Sequence, residues 1–434
     1  MGIRQIHISS GEWSKTPETV RELVKALISI ADTPSRFVDQ QLDCMLKVQK
    51  EMGRERIPKQ VAIVTGKLFG RLYKHAVCLK ELGWDVLLIS SDSGINDSNR
   101  VFSKIMVCKD LDKILETCLS VSPQIYHIFT NWEFELPAYL IASGIRPVVY
   151  DNYDALNGCI VGRRIDDYPS EKMLALERYS VENADAVTSR DGRMLVSKRK
   201  AGLRPKRVAM CLDGSLTQIQ ADSIRMAKRT DGIHAVYIGN MYEPTSSQPR
   251  NFHFQLSRTL ANSGIHYHMY PSNMDLYNSY RPLMERFAFE NCPNGFVHLH
   301  PPVPVNHIVR EISQYHFGID VLTKSVDRVP GDHEFYSMET TEYGIDNKIF
   351  DYISAGLYTF VSNARWCRRI LERYGLGIRV RSFEEIIHGI NAYNYNAFPR
   401  IPEVLTTHFW SQRLLDLYDK ISVGSFTSDY ALSF

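Results

Sequence analysis

The stretch Asp346–Asn363, which reads DNKIFDYISAGLYTFVSN, contains the pattern on which the second half of the chain depends. Asn347 can cap a helix, Gly356 can end it, and the β-branched and aromatic run Tyr358–Val361 predicts a buried strand directly afterwards. Helical spacing sorts the residues between them into two faces, one with Ile349, Phe350 and Ile353 and the other with Lys348, Asp351, Tyr352 and Ala355. A lysine and an amide at a helix start are suited to bind a diphosphate, and a carboxylate one turn later is suited to bind a ribose. The stretch therefore predicts a nucleotide-sugar site at the edge of a cleft.

The rest of the chain alternates between short apolar runs and segments of helix length. The runs of the first half are Val61–Thr65, Val86–Ser90, Ile125–Phe129, Val148–Tyr150 and Ala186–Ser189. Those of the second half are Ala235–Gly239, His266–Tyr270, Val297–His300, Phe317–Leu322, Tyr358–Val361 and Ile378–Val380. This alternation is typical of α/β folds with a parallel sheet covered by helices on both faces. Neither half carries the glycine fingerprint of a dinucleotide site, so we do not expect NAD binding.

The length of 434 residues predicts two domains rather than one core. We expect a helical extension over residues 1–56, a Rossmann-like domain over 57–214 and a second Rossmann-like domain over 215–405. Residues 406–434 then form a helix that crosses back to the first domain. The polar, helix-patterned extension is expected to dock on the next domain or on a second copy of the chain, which would make a homo-oligomer.

Composition excludes several classes of protein. The chain has 51 basic and 49 acidic residues, a balance that gives no reason to expect nucleic acid as a partner. Its eight cysteines are scattered without a C-x-x-C pair, so we expect reduced thiols and neither disulfides nor a metal site. No apolar run reaches the length of a signal or a membrane span, which predicts a cytoplasmic protein, at most peripheral at a membrane. The basic run Lys198–Arg207 is expected to be a solvated connecting loop, with contact to anionic lipid as the alternative.

The opening stretch resembles the donor-binding segment of GT-B glycosyltransferases, especially family 4 and its relatives, which read N-K-hydrophobic-F-E-Y-hydrophobic-A-G-hydrophobic-P. Asp351 replaces the glutamate of that pattern, and Tyr358 replaces the usual proline. Other segments resemble the family in the same order along the chain: Lys67–Asp85, Leu176–Ser189, Val236–Gly239, Phe317–Thr323 and His408–Tyr418. The resemblance covers roughly residues 60 to 420. It implies two Rossmann-like domains facing a cleft and transfer of a sugar from a nucleoside diphosphate to a glycan or lipid-linked acceptor, without metal or cofactor.

The resemblance also implies roles for single residues on the donor side. Lys348 and the backbone at Asn347 would stabilise the diphosphate, Asp351 would accept from the ribose hydroxyls, and Tyr352 lies beside them. Gly239 ends the strand that opens the second domain and would allow a phosphate or sugar close to the backbone. Two features depart from the family pattern. Tyr343 stands where a first glutamate is usual, so Glu342 or Glu339 would have to replace it. The Arg and Lys that many relatives place after the glycine are absent, which leaves Lys324, Arg250 and Arg328 as candidate cations.

On the acceptor side, polar residues follow the predicted strands of the first domain. Gly66 and Gly70 come after the first strand as a close-approach loop, and His127 lies in the strand that relatives write H-hydrophobic-H. Asp151, with Asp154 three residues on, ends the next strand, where one carboxylate could orient or deprotonate an acceptor. The alternatives are a buried, hydrogen-bonded histidine and turn or cap aspartates. For the whole chain, the alternatives are a GT-B epimerase and an inactive binding or scaffold subunit.

Overall fold

A computed structural model describes residues 55–92, 100–130, 133–158, 171–241, 253–293, 295–321, 344–362, 365–393 and 398–422. The predicted N-terminal extension, apart from its last two residues, lies outside these ranges, as do five of the candidate donor-site side chains: Arg250, Lys324, Arg328, Glu339 and Glu342. In the described part of the chain, no helix is both long and apolar enough to cross a membrane.

The first half of the chain forms a parallel sheet of seven strands. Its elements are β1 (Ile57–Thr65), α1 (Gly70–Glu81), β2 (Asp85–Ser90), β3 (Lys104–Val107), α2 (Leu111–Ser120), β4 (Pro123–Thr130), α3 (Glu135–Ala142), β5 (Val148–Asn152), α4 (Glu171–Asn183), β6 (Ala186–Ser189), α5 (Arg193–Ala201) and β7 (Val208–Met210). The strand order is β3-β2-β1-β4-β5-β6-β7. Val61 of β1 pairs with Val86 on one side and with Ile125 on the other. The chain thus changes direction across the sheet between β1 and β4, and the carboxyl ends of these two strands flank a crevice.

The second half forms a parallel sheet of six strands. Its elements are α6 (Gln218–Ile224), β8 (Ile233–Gly239), α7 (His253–Asn262), β9 (Ile265–Pro271), α8 (Met274–Asn291), β10 (Val297–Leu299), α9 (Ile308–Ile312), β11 (Phe317–Asp320), α10 (Asn347–Ser354), β12 (Tyr358–Val361), α11 (Arg365–Arg373), β13 (Gly377–Arg379), α12 (Phe383–Ala392), a 3₁₀ turn (Glu403–Leu405) and α13 (Thr407–Ser422). The order β10-β9-β8-β11-β12-β13 places the change of direction between β8 and β11. The α/β fold with two Rossmann-like sheets is therefore confirmed.

Every predicted strand is present, but the sequence reading missed two edge strands. β3 reads KIMV and is largely exposed, and β7 has three residues, so neither shows the buried apolar run used to find the others. The basic run predicted as a loop is also corrected in part. Residues 198–201 form the last turn of α5, which ends at Gly202 with a φ of 66°. Lysine and arginine are good helix formers and are stabilised near a helix C-terminus, so the helix continues through them until Gly202 ends it.

The two halves share one apolar core. Residues of α1, α10 and α13 belong to a single buried cluster that includes Leu72, Leu79, Ile353, Trp410 and Leu414. Helix α13 packs against α1 and β4. Where the chain passes between the halves, Ser215 forms a parallel bridge with Thr406. The start of the second half and the start of α13 are therefore joined at one point.

Gly214 is the residue that makes this joint possible. Its φ is +70°, and a Cβ added there would overlap the backbone of Thr407. We expect Gly214→Ala to lower the free energy of unfolding by at least about 2 kcal/mol, because backbone strain and a clash with main-chain atoms act together. Urea unfolding would measure it. Gly202→Ala is the matched control, since its φ is +66° but nothing lies within 4 Å, and it should cost only about 1 kcal/mol. Equal losses in both variants would contradict the proposed clash.

Histidines gather on one face of the second sheet. The members are His234, His266, His268, His298, His300 and His316, which we call the histidine ladder. Nδ1 of His234 lies 2.9 Å from Nε2 of His268, and Nδ1 of His268 lies 2.9 Å from Nε2 of His300. Burial and neighbouring imidazoles lower the pKa of His234 and of His298 to about 4. Burial also lowers the pKa of His316 to about 4. These three imidazoles are therefore neutral at physiological pH.

Acidification is expected to destabilise the second sheet through this ladder. A histidine with a pKa near 4 when folded and about 6.5 when unfolded takes up its proton on unfolding between those two values. Its contribution to stability is present above about pH 6.5 and is lost as the pH falls, by roughly 1.4 kcal/mol per pH unit and per proton taken up. The charged neighbours are Asp231, Arg229, Lys228 and Glu311, of which the two carboxylates oppose the effect. Unfolding free energies measured from pH 7 to pH 4.5 would test this, and a flat profile would contradict it.

Candidate functional site

The two halves of the chain face each other at the starts of two helices. Gly70, the first residue of α1, lies so close to the second half that a Cβ there would be 3.3 Å from Nδ2 of Asn347 and 3.1 Å from Val305. Asn347 is the first residue of α10. The N-terminal ends of α1 and α10 therefore meet across a cleft, and both have partial positive charge suited to an anion.

Lys348 lies at the crevice between β8 and β11, where the second sheet changes direction. Its Nζ atom lies 2.8 Å from Asp320, the last residue of β11, and 3.2 Å from Asp346, the residue before α10. The ammonium also lies 4.8 Å from the centre of the Tyr237 ring. A Cβ on Gly239, at the end of β8, would be 3.6 Å from Cε of Lys348. The structure thus brings the predicted lysine and glycine together at the position where open α/β sheets bind ligands.

Asp351 does not point to an open ribose site. Its Oδ1 atom lies 2.6 Å from Nζ of Lys74 in α1, and the same ammonium lies 3.2 Å from the side-chain oxygen of Asn347. Both members of the ion pair are largely buried, and burial raises the pKa of Asp351 although Lys74 opposes that rise. The carboxylate instead ties α10 to α1 across the cleft. Sequence reasoning missed Lys74, which follows Gly70 by one helical turn and so lies on the cleft face.

Tyr352 is part of the sheet rather than of a ligand site. It is fully buried, and its hydroxyl donates to the carbonyl of Ile319 in β11 and accepts from the amide of Ile238 in β8, both at 3.1 Å. Its ring fills the space beside Gly318, where a Cβ would overlap it. The expected donor contact is therefore corrected. The phenol bridges β8 and β11 where the two strands diverge.

Asp151 is buried under Arg71 and cannot reach an acceptor. Both side chains have no exposed surface, and the guanidinium lies 2.7 Å from Asp151 and 2.7 Å from Asp213. The Thr188 hydroxyl donates to Oδ2 of Asp151 at 2.8 Å. The two carboxylates outweigh the effect of burial and raise the pKa of Arg71, so the guanidinium stays charged. Asp151 is thus a partner of a buried arginine, which corrects its expected catalytic role.

His127 and Asp154 likewise serve the packing of the first sheet. His127 is fully buried, with Nδ1 at 2.5 Å from the Tyr418 hydroxyl, and burial lowers its pKa well below the ordinary value. It is therefore a neutral core imidazole, the alternative left open for it above. Asp154 lies 3.1 Å from Arg190 and 3.1 Å from Arg193, so its carboxylate is held in a paired cluster beside β5.

The loop after β1 contacts a carboxylate that sequence reasoning missed. Glu133 lies beyond the end of β4, against the backbone of Gly66. The contact is so close that a Cβ on Gly66 would overlap the carboxylate. Burial raises the pKa of Glu133, although Gly66 and Lys67 oppose the rise. The signal in the sequence was its position after a buried strand, which is the rule that selected Asp151. Glu133 lies three residues beyond the end of β4.

The described residues therefore place two groups at facing crevices. Gly66 and Glu133 lie where β1 and β4 diverge in the first sheet, and Lys348 and Gly239 lie where β8 and β11 diverge in the second. The helix starts at Gly70 and Asn347 connect the two crevices. A molecule bound in this cleft would meet cationic and backbone groups on one side and a half-buried carboxyl on the other.

The fold resembles solved structures of sugar-nucleotide proteins. Sucrose-phosphate synthase from Thermosynechococcus elongatus superposes with a TM-score of 0.57 at 12% identity, over 84% of this chain and 100% of that one. Anabaena HepE, solved with UDP and glucose, superposes with a TM-score of 0.56 at 12% identity, over 84% of this chain and 96% of that one. UDP-GlcNAc 2-epimerase from Methanocaldococcus jannaschii superposes with a TM-score of 0.51 at 9% identity, over 83% of this chain and 99% of that one. No family model matches the sequence, and no curated protein sequence matches it. At these identities the comparisons show the GT-B fold.

Proposed function

We propose that the chain is a glycosyltransferase that takes its sugar from a nucleoside diphosphate. The observation that carries the proposal is the position of Lys348, whose ammonium lies beside Gly239 and at the start of α10, in the crevice between β8 and β11. A diphosphate leaving group needs positive charge that does not have to be reorganised during the reaction. The N-terminus of α10 supplies part of it, and the Lys348 ammonium, which Asp320 and Asp346 hold in place and partly neutralise, would be shared with the diphosphate.

The donor is proposed to lie between Lys348 and the loop after β1. Its diphosphate would approach Gly239, where the absence of a side chain and the φ of +124° leave the backbone accessible. Asn347 and the first turn of α10 would bind the same group through backbone N–H. Lys74 and Asp351 would hold the two halves together around it, so that water is excluded from the reacting atoms.

Glu133 is proposed to take the proton from the acceptor hydroxyl. It replaces Asp151 and His127 in that role, because it is half-buried at the cleft while they are enclosed in the first sheet. A carboxyl with a raised pKa is a stronger base once ionised than an ordinary glutamate. The acceptor itself is proposed to be a glycan or a lipid-linked glycan, reached from the cytoplasm.

A two-step assay tests the proposal. Thermal unfolding in the presence of a panel of nucleoside diphosphate sugars should show stabilisation by one donor, since a ligand that binds only the folded state adds about 2.7 kcal/mol at a hundredfold excess over Kd. Release of nucleoside diphosphate from that donor should then require an added acceptor. Release without an acceptor, with a sugar epimer as the product, would identify an epimerase instead. Stabilisation without any turnover would identify a binding subunit.

A further inference from the structure

Metal-ligating side chains meet where α13 returns to the first half of the chain. Cys78 and Glu81 lie one turn apart on α1, and His408 is the second residue of α13. Their ligand atoms all lie within 4.8 Å of one another. Among the described residues, this is the one group of three such side chains that meets this distance. Cys78 lies one turn after Lys74 on the same face of α1, and the group contains none of the side chains assigned to the donor site.

The chemistry of the three ligands suits zinc. A thiolate, an imidazole and a carboxylate are all zinc ligands, with bonds of about 2.0–2.3 Å, which in a tetrahedral site places donor atoms roughly 3.3–3.8 Å apart. The cysteine is buried and fixed, the histidine is half-buried and the glutamate is exposed. Of the three ligands, the exposed Glu81 has the most room to rotate toward a bound ion.

Neighbouring side chains already orient two of the ligands. The Gln412 amide, one turn along α13, lies 3.1 Å from Nε2 of His408. The Gln220 amide of α6 lies 3.3 Å from the Glu81 carboxylate. Groups that hold the ligand side chains in place strengthen metal binding.

We propose that Cys78, Glu81 and His408 bind a divalent zinc ion, with water as the fourth ligand, and that this ion ties α13 to α1. The thiol would give up its proton on binding, so zinc affinity should rise with pH. The C-x-x-C spacing by which a zinc site is usually recognised is absent, because the third ligand lies far along the chain from the first two. The inference does not depend on the proposed sugar transfer.

Zinc titration of the metal-free chain against a chromogenic chelator tests the proposal. We expect one tight equivalent of zinc, a raised melting temperature with zinc, and a roughly tenfold or greater loss of affinity in both Cys78→Ser and His408→Gln. Glu81→Gln should weaken binding less, because water can take its position. His388→Gln is the matched control, since His388 is an exposed histidine on α12 and should bind zinc no differently from the original chain.

Cobalt in place of zinc gives a second readout that does not depend on affinity. A cobalt ion bound by Cys78 has a thiolate charge-transfer band in the near ultraviolet, which should vanish in Cys78→Ser while circular dichroism shows an unchanged fold. The histidine ladder could also bind the metal, so His298→Gln is included. Zinc binding that survives Cys78→Ser and is lost in His298→Gln, or a cobalt complex without the thiolate band, would overturn the proposal.

Discussion

Lys348→Ala is expected to lower the rate of sugar transfer by roughly 10²–10³-fold, which is the usual effect of removing one fixed electrostatic group that acts on the transition state. The proposed leaving group gains negative charge as the glycosidic bond breaks. Lys348 is held 2.8 Å from Asp320 and 3.2 Å from Asp346, so its ammonium is already in place before that charge develops. The loss should therefore appear mainly in kcat. Release of nucleoside diphosphate, measured with the donor identified by thermal stabilisation, is the readout.

The control for this variant must separate catalysis from folding. Removing the lysine leaves two carboxylates without their cation, so the melting temperature is measured in parallel and Lys348→Arg is included to keep the charge. Lys113→Ala removes an exposed lysine of an ion pair on α2, far from the cleft, and should change neither quantity. Unchanged turnover in Lys348→Ala, with the fold intact, would remove the assignment of the donor site.

The sequence predicted the architecture because buried parallel strands are visible as apolar runs. Each run in the middle of a sheet was found, while the exposed β3 and the three-residue β7 were missed for lack of that signal. Lys348 and Gly239 were named from the helix-start pattern and from the resemblance to GT-B glycosyltransferases, and both lie at the carboxyl edge of the second sheet. Their identification needed no knowledge of contacts between distant side chains.

The remaining site residues depended on such contacts. The helical face shared with Lys348 assigned Asp351 and Tyr352 to the donor. It could not show that Lys74 pairs with Asp351 and that the backbones of β8 and β11 bind the Tyr352 hydroxyl. An aspartate at a strand end looks the same in sequence whether it faces a cleft or, as Asp151 does, a buried arginine. The partner Arg71 lies 80 residues away, and only the folded chain brings the two together.

Glu133→Gln is expected to lower the rate of sugar transfer by roughly 10²–10⁴-fold, the range for removal of a general base. Glutamine keeps the shape of the side chain and its contact with Gly66, so the loop after β1 should hold its position. It cannot take a proton from the acceptor. The effect should therefore fall on turnover, while stabilisation by the donor sugar persists.

The pH dependence of turnover distinguishes a base from a residue that merely packs. Burial raises the pKa of Glu133 above its ordinary value, so the active, ionised form is lost as the pH falls through that raised pKa. The original chain should show an acidic limb that begins at a higher pH than an ordinary glutamate would give, and Glu133→Gln should lack that limb. Glu135→Gln is the matched control, because Glu135 lies two residues on but is exposed and paired with Lys172. An acidic limb that persists in Glu133→Gln would show that another group accepts the proton, since the remaining activity would then still depend on a titrating base.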